Sequence, residues 1–167
     1  MAANPVLNLV PQIRSTLQMA DPAQFREFLI EKIREFERYA RELRVPPETI
    51  IGARYCLCTL LDESAAQTPW GGSGVWSRHS LLVTFHNETW GGEKFFQLLS
   101  KLAQNPQQYR DLLELMYYCI SLGLEGRFRV VDNGRAQLET LRQRLWTILR
   151  DLGVGSDDNL SPHWQGA

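Results

Sequence analysis

The side chains best suited to chemistry lie between residues 56 and 92. Cys56, Cys58, His79 and His86 offer the sulfur and imidazole ligands that zinc binds. On a helix, however, thiols two residues apart point to different faces, and two histidines seven residues apart are separated by two full turns. Because this spacing does not converge on one ion, we predict no metal site, no cofactor and no cysteine nucleophile.

An acidic pair, Asp62 and Glu63, is the second candidate. Adjacent side chains on a helix point about 100° apart, so these carboxyls cannot share one proton as a facing dyad does. The pair follows a nearly all-apolar segment and precedes an aromatic, glycine-rich one, which indicates a position at the rim of a cleft. Carboxylates beside aromatic side chains suit an arginine-bearing partner. We therefore predict that Asp62 and Glu63 bind a partner, while a plain surface position stays open.

A Trp-Gly-Gly step occurs twice, at residues 70–72 and 90–92. The glycines around residue 72 lack the preceding strand and the following lysine of a phosphate-binding loop. Glycine permits tight chain reversals, and tryptophan supplies a large apolar body with one N–H donor. We predict turns held by aromatic side chains, with these structural loop anchors: Trp70, Gly71, Trp90, Gly91 and Gly92.

Composition excludes several classes of partner. The 167 residues carry 18 basic and 19 acidic side chains, for a net charge of −1. Nucleic-acid binding requires clustered Lys and Arg, so this balance predicts no nucleic-acid partner and no polybasic membrane patch.

No window of the sequence reaches the ~20 apolar residues of a membrane span. The first twenty residues also lack the basic start and apolar run of a secretory signal. We expect a soluble chain with reduced thiols.

Apolar residues recur at helical spacing along most of the chain. A short helix, interrupted in its early part by Pro11, is predicted within residues 5–19. Asp21 followed by Pro22 begins a long second helix that ends before Pro46, and Pro47 begins a third that is apolar on nearly all sides. On the second helix, Glu37 and Arg41 are spaced as an ion pair, which we place on a solvated face.

The remaining helices are predicted from residues that commonly begin or end a helix. Ser77 is predicted to cap the fourth helix, Gly92 precedes the fifth, and Asn105 opens the sixth, which closes at Gly123. The seventh spans residues 134–152. Only residues 128–131 fit an extended strand, and a single strand cannot form a sheet. The sequence predicts an all-α protein of about seven helices with no substantial sheet.

Several segments in this order resemble the IcmH/DotU family over about residues 5–152. The segments that carry the resemblance are Ala53-Arg54-Tyr55-Cys56, Leu60-Leu61-Asp62-Glu63, Thr68-Pro69-Trp70-Gly71, Phe85-His86-Asn87-Glu88-Thr89-Trp90-Gly91-Gly92 and Leu122-Gly123-Leu124-Glu125-Gly126-Arg127-Phe128.

The resemblance implies two packed three-helix bundles in a hook-like arrangement. It implies a single cytoplasmic domain over residues 1–154 and a flexible tail or juxtamembrane linker over residues 155–167. In the family, one transmembrane helix follows and holds the domain at the cytoplasmic face of the bacterial inner membrane. That helix is missing from this chain, and we expect it downstream.

The resemblance also implies a function in type VI secretion. The family binds an IcmF/TssM-type inner-membrane protein, recruits baseplate components and can self-associate. It has no enzymatic activity and no small-molecule substrate. Two alternatives stay open: a type IVB secretion protein of the same family, and a small cleft hydrolase that uses Glu63 with His79 or His86.

Overall fold

The computed structural model describes residues 2–72, 74–88 and 91–154, and over these residues the chain is all-α, as predicted. It contains nine α-helices and one 3-10 helix, with no strand in the described ranges. Seven of the α-helices have six residues or more, in agreement with the predicted number; α1 and α5 are single turns. The helices are α1 (Asn4–Leu7), α2 (Val10–Ser15), α3 (Pro22–Glu42), α4 (Pro47–Ala66), α5 (Val75–Arg78), α6 (Leu81–His86), α7 (Gly92–Leu102), α8 (Arg110–Ser121), the 3-10 helix (Gly126–Arg129) and α9 (Gly134–Val154).

The chain divides into two compact units. The first unit comprises residues 2–91 with α1 to α6, and the second begins at Gly92 and contains α7 to α9. The predicted single domain over residues 1–154 and the two-bundle, hook-like arrangement stay predictions. The tail over residues 155–167 lies outside the described residues.

Helix α3 begins and ends as its sequence predicts. The carboxylate of Asp21 accepts the backbone N–H of Gln24 at 3.1 Å, which satisfies a donor of the first turn. At the other end, Arg44 adopts a left-handed conformation with φ of 61°. The N–H of Val45 then donates back to the carbonyl of Ala40 at 3.0 Å, so the last turn is closed before Pro46.

Helix α4 is the central helix of the first unit. It packs against α2, α3, α5 and α6, which explains why it is apolar on most sides. Its middle contains the buried residues Cys56 and Cys58, and neither of them, nor the buried Cys119 of α8, forms a disulfide. Among the described residues, no helix is long and apolar enough to cross a membrane.

Two predictions for the first unit need correction. The helix predicted within residues 5–19 is broken into α1 and α2, and Leu9 is the N-cap of the second piece. Ser77 does not cap the fourth helix: it lies inside α5, and Ser80 is the cap. The Ser80 hydroxyl accepts the N–H of Val83 at 3.1 Å.

The second unit is built from three longer helices. Helix α8 begins at Arg110, later than the predicted start at Asn105, and after Ser121 it is closed, as predicted, by Gly123, whose φ is 112°. There the N–H of Leu124 donates to the carbonyl of Cys119 at 3.1 Å, which gives a Schellman closure. The stretch predicted as extended is a 3-10 helix followed by a bend: the N–H of Phe128 donates to the carbonyl of Glu125 at 3.0 Å, and the Phe128 ring packs edge-on against Phe96 with centroids 4.9 Å apart.

Candidate functional site

The carboxylate of Asp62, in the last turns of α4, accepts three hydrogen bonds within the first unit. Its Oδ1 accepts the indole N–H of Trp76 at 3.0 Å and the backbone N–H of Leu81 at 2.9 Å. Its Oδ2 accepts the backbone N–H of Leu82 at 2.9 Å. These backbone donors belong to the first turn of α6, which has no intrahelical acceptors for them. Asp62 therefore closes the start of a helix that lies 19 residues further along the chain.

The environment of Asp62 also changes its acidity. Burial raises the pKa of its carboxyl to about 6, against the opposing effect of the N–H donors of Leu82, Leu81 and Trp76, which favour the ionised form. The cost of removing the charge from water is thus larger than the gain from the hydrogen bonds. A carboxyl with this pKa is mostly ionised at neutral pH and titrates just below it.

Trp76 connects Asp62 to an aromatic cluster, which we define as Phe25, Phe28, Trp70 and Trp76. The centroids of Trp70 and Trp76 lie 5.6 Å apart in an edge-on arrangement, and Phe25 packs edge-on against Trp70 at 5.8 Å. Phe28 stacks on Phe25 at 6.0 Å, yet 43 % of Phe28 remains exposed. The cluster therefore begins in the core at Trp76 and ends on the surface at Phe28.

The loop that carries Trp70 is held by contacts of Trp70 and of Gly71. The indole N–H of Trp70 donates to the carbonyl of Thr16 at 3.0 Å. Gly71 is buried, and its N–H donates to the hydroxyl of Thr68 at 3.1 Å. A Cβ at Gly71 would lie 2.0 Å from the carbonyl oxygen of Ala65, so no larger residue fits this backbone. Leu17, which follows Thr16 in the chain, is exposed.

The second Trp-Gly step is only partly described. Trp90 lies outside the described residues. Gly91 is buried, and a Cβ there would lie 2.6 Å from the Thr59 hydroxyl and 2.9 Å from the Tyr55 hydroxyl. Gly92 is the first residue of α7 and is also buried. The loop-anchor role of these residues stays a prediction that fits the contacts of Gly71 and Gly91.

Glu63 follows Asp62 on α4 but is placed differently. The residue is half-buried, and its carbonyl accepts the N–H of Gln67 one turn later at 3.2 Å. The guanidinium of Arg14, from α2, donates to the side-chain oxygen of Gln67 at this end of α4. The two carboxyls predicted as one site therefore differ in their surroundings: Asp62 is bound to α6, whereas Glu63 lies one turn before Gln67, which Arg14 of α2 contacts.

The histidines and cysteines do not meet at one site. His79 is exposed after α5, whereas the ring of His86, at the end of α6, packs edge-on against Tyr55. Burial raises the pKa of the Cys58 and Cys119 thiols, which keeps them protonated and unreactive. Within the described ranges, no group of three or more His, Cys, Asp and Glu side chains could hold a metal ion.

One cluster was missed because Glu37 and Arg41 were assigned to a solvated face. Glu37 is 7 % exposed and accepts hydrogen bonds from Arg41 at 3.1 Å and from Arg54 at 3.3 Å. The same Arg54 donates through Nε to His86 Nε2 at 3.3 Å and through Nη2 to the carbonyl of Phe85 at 3.4 Å. An arginine on the otherwise apolar α4 was the available sequence signal, since such a charge needs a partner.

Comparisons with known proteins agree with the fold. A family model described as "Type VI secretion system protein DotU" matches residues 1–167. The chain is similar to the crystal structure of TssL from Vibrio cholerae, with a TM-score of 0.82 and 39 % identity over 90 % of this chain and 94 % of that one. It is also similar to the cytoplasmic domain of TssL from Acinetobacter baumannii, with a TM-score of 0.82 and 26 % identity over 90 % and 96 % of the chains. A comparison with curated proteins gives no match.

Proposed function

Because the chain belongs to the DotU family of type VI secretion system proteins, we propose that it acts as an adaptor at the cytoplasmic face of the bacterial inner membrane. In this role it binds an IcmF/TssM-type membrane protein and recruits baseplate components. The observation that carries the proposal is the match of one family model to the whole chain. The likeness to a cytoplasmic domain of TssL supports the cytoplasmic side.

The proposed docking surface is the exposed end of the aromatic cluster together with Glu63. Phe28 is 43 % exposed and Leu17 is 72 % exposed, so each leaves a large apolar area in contact with water. Exposed aromatic side chains of this kind become the buried centres of protein interfaces. The carboxylate of Glu63 would add affinity for arginine. The preferred partner segment is therefore apolar with at least one arginine.

Within this proposal Asp62 and Glu63 have different tasks. The carboxylate of Asp62 is used by Trp76 and the first turn of α6, so we assign it to shaping the surface. Glu63 is the residue that we assign to the partner. Self-association remains a separate prediction, and we expect a monomer or a weak dimer at micromolar concentration.

The test is a binding measurement with the purified cognate membrane protein and baseplate components. Glu63→Gln and Phe28→Ser each remove one feature of the surface, and we expect each to weaken binding about tenfold or more. The matched controls are Glu48→Gln, on the same helix as Glu63, and Tyr39→Ser, on the same helix as Phe28. Tyr39 has the same exposed fraction as Phe28, 43 %, so a general loss of surface apolarity would affect both.

Wild-type affinity in folded Glu63→Gln and Phe28→Ser variants would remove this surface from the proposal. Failure of the wild-type chain to bind either class of partner would contradict the adaptor function itself. In the hydrolase alternative His86 would act as a base, yet its Nε2 atom accepts a hydrogen bond from Arg54. The family description favours type VI over type IVB secretion.

A further inference from the structure

Helix α3 carries a second stripe of side chains beside its buried face. This stripe, which we call the α3 stripe, consists of Phe28, Lys32, Glu35, Tyr39 and Leu43, spaced four, three, four and four residues apart. At about 100° per residue these positions fall within about 80° of one another around the helix axis, so they lie along one side of α3. The core-facing residues of α3 lie on another side: Leu29, Ile30, Ile33, Phe36, Glu37 and Ala40.

The two ends of the α3 stripe are apolar and in contact with water. Phe28 and Tyr39 have the same exposed fraction, 43 %, and Leu43, which directly follows α3, is 55 % exposed. Alternating spacings of four and three residues allow a second helix to pack its side chains between those of the first, as in a coiled coil. The α3 stripe therefore has the spacing of a surface for another helix.

The centre of the α3 stripe is an ion pair. Lys32 Nζ lies 3.3 Å from Glu35 Oε2 and 5.4 Å from the centroid of the Phe28 ring. Because the two charges cancel, the stripe does not favour a partner of strong net charge. What selects the partner is the order along the helix, which is apolar, basic, acidic and apolar.

This order is complementary to itself when a second copy of the chain runs antiparallel. A two-fold axis level with residues 33 and 34 places Lys32 of each copy at the same height as Glu35 of the other. The same axis places Phe28 of each copy at the height of Tyr39 of the other. A two-fold interface must be self-complementary in this way, because one patch meets its own copy. A parallel pair would instead bring Lys32 against Lys32 and Glu35 against Glu35, where like charges repel.

We propose that the α3 stripe is a contact between two copies of this chain, packed antiparallel about this two-fold axis. Phe28 of each copy packs on Tyr39 of the other, and the two central ion pairs alternate in sign. A single helix face is a small interface, so the dimer is weak. Phe28 also belongs to the proposed docking surface, whereas Lys32, Glu35 and Tyr39 belong to the dimer contact alone.

Sedimentation equilibrium of the 167-residue chain, with no other protein present, tests the dimer independently of the adaptor function. At about 0.5 mM protein we expect the wild type to dimerise, since small interfaces are weak but specific. Tyr39→Ser should raise the dimer dissociation constant about tenfold or more. Trp146→Ser is the control, because Trp146 is an aromatic residue of the second unit with the same exposed fraction, 43 %. A monomeric wild type, or an equal loss in the two variants, would overturn the proposal.

Charge exchange tests the antiparallel order. Lys32→Glu makes both central positions acidic and Glu35→Lys makes both basic, so each variant alone should dimerise about tenfold more weakly than the wild type. An equimolar mixture of the two variants again brings opposite charges together at both heights, so we expect it to dimerise at least as tightly as the wild type. Both variants should fold, because an exposed ion pair contributes little to stability.

Arg34→Glu is the matched control for these charge changes. Arg34 forms the corresponding pair with Glu31, three residues earlier on α3, at 3.2 Å, but it lies on another side of the helix. This variant should dimerise as the wild type does. The antiparallel contact is excluded if Lys32→Glu and Glu35→Lys each keep the wild-type dissociation constant, if their mixture does not recover it, or if Arg34→Glu weakens the dimer equally.

Discussion

The two units of this protein solve the problem of helix stability in different ways. In the first unit, four of the six helices have six residues or fewer, a length at which an isolated helix is unstable in water. Asp62 holds two of these short helices, since it accepts hydrogen bonds from Trp76 of α5 and from the first turn of α6. In the second unit, α7, α8 and α9 have 11, 12 and 21 residues and pack through apolar stripes.

Arginine shows the same difference. In the first unit, Arg54 points inward to a buried glutamate and to the end of α6. In the second unit, Arg127 lies over the rings of Phe96 and Phe128, with its guanidinium carbon 5.6 Å and 5.0 Å from the two centroids. There the cation adds to an aromatic contact that already exists. The contrast concerns these two arginines, because α8 of the second unit also buries a charged side chain, Glu114.

The largest effect is expected from opening the apolar core of the second unit. Phe95 is fully buried and packs edge-on against Phe96 at 5.0 Å. Phe95→Ala removes the ring and leaves a cavity, so the free energy of unfolding should fall by about 4 kcal/mol in urea denaturation. Val130→Ala is the control, because Val130 is 85 % exposed and should have little effect. Equal losses in the two variants would contradict apolar packing as the basis of this unit.

A somewhat smaller loss is expected from Asp62→Ala in the first unit. The variant leaves three N–H donors without their acceptor, and removal of a buried charge offsets part of the cost. We expect the free energy of unfolding to fall by about 3 kcal/mol, measured in the same denaturant series. Asp132→Ala, at an exposed aspartate of the second unit, should change it by less than about 0.5 kcal/mol. If Asp62→Ala were as mild as this control, the first unit would not depend on its polar contacts.

The smallest effect is expected from pH, which changes the free energy of unfolding through the carboxyl of Asp62. The carboxyl of Asp62 has a pKa of about 6 in the folded chain and 3.8 as an ordinary aspartate, so the folded state binds the proton more readily. The wild type should therefore gain about 1.4 kcal/mol of stability from this group as the pH falls from about 7.5 to 5, and lose it as the pH rises through 6. Asp62→Asn should lack this gain. If the free energy of unfolding of the wild type and of Asp62→Asn changed equally with pH, the Asp62 carboxyl would not titrate in this way.

The long helices could be predicted because their signals are local. Asp21 and Pro22 start α3 through contacts within one turn, and Pro47 starts α4 for the same reason. Gly123 ends α8 because its left-handed φ suits glycine. None of these features requires knowledge of another part of the chain.

The choice between Ser77 and Ser80 as a helix cap could not be predicted in this way. Both residues suit an N-cap. Ser80 is used because Asp62, 19 residues earlier than Leu81, accepts the N–H groups that follow it. The burial of Glu37 is a similar case, because its ion pair with Arg41 is compatible with a solvated face until Arg54 approaches from α4.

The sequence by itself determined the all-α class, the long helices and the family, since these depend on helical periodicity, local caps and the order of motifs. Only the tertiary structure decided how the polar residues are used. It turned Asp62 toward α6, separated Asp62 from Glu63, and brought Glu37, Arg54 and His86 together from three helices. The physical reason is that a buried charge or donor must find its partner in space, and that partner can lie on any helix packed nearby.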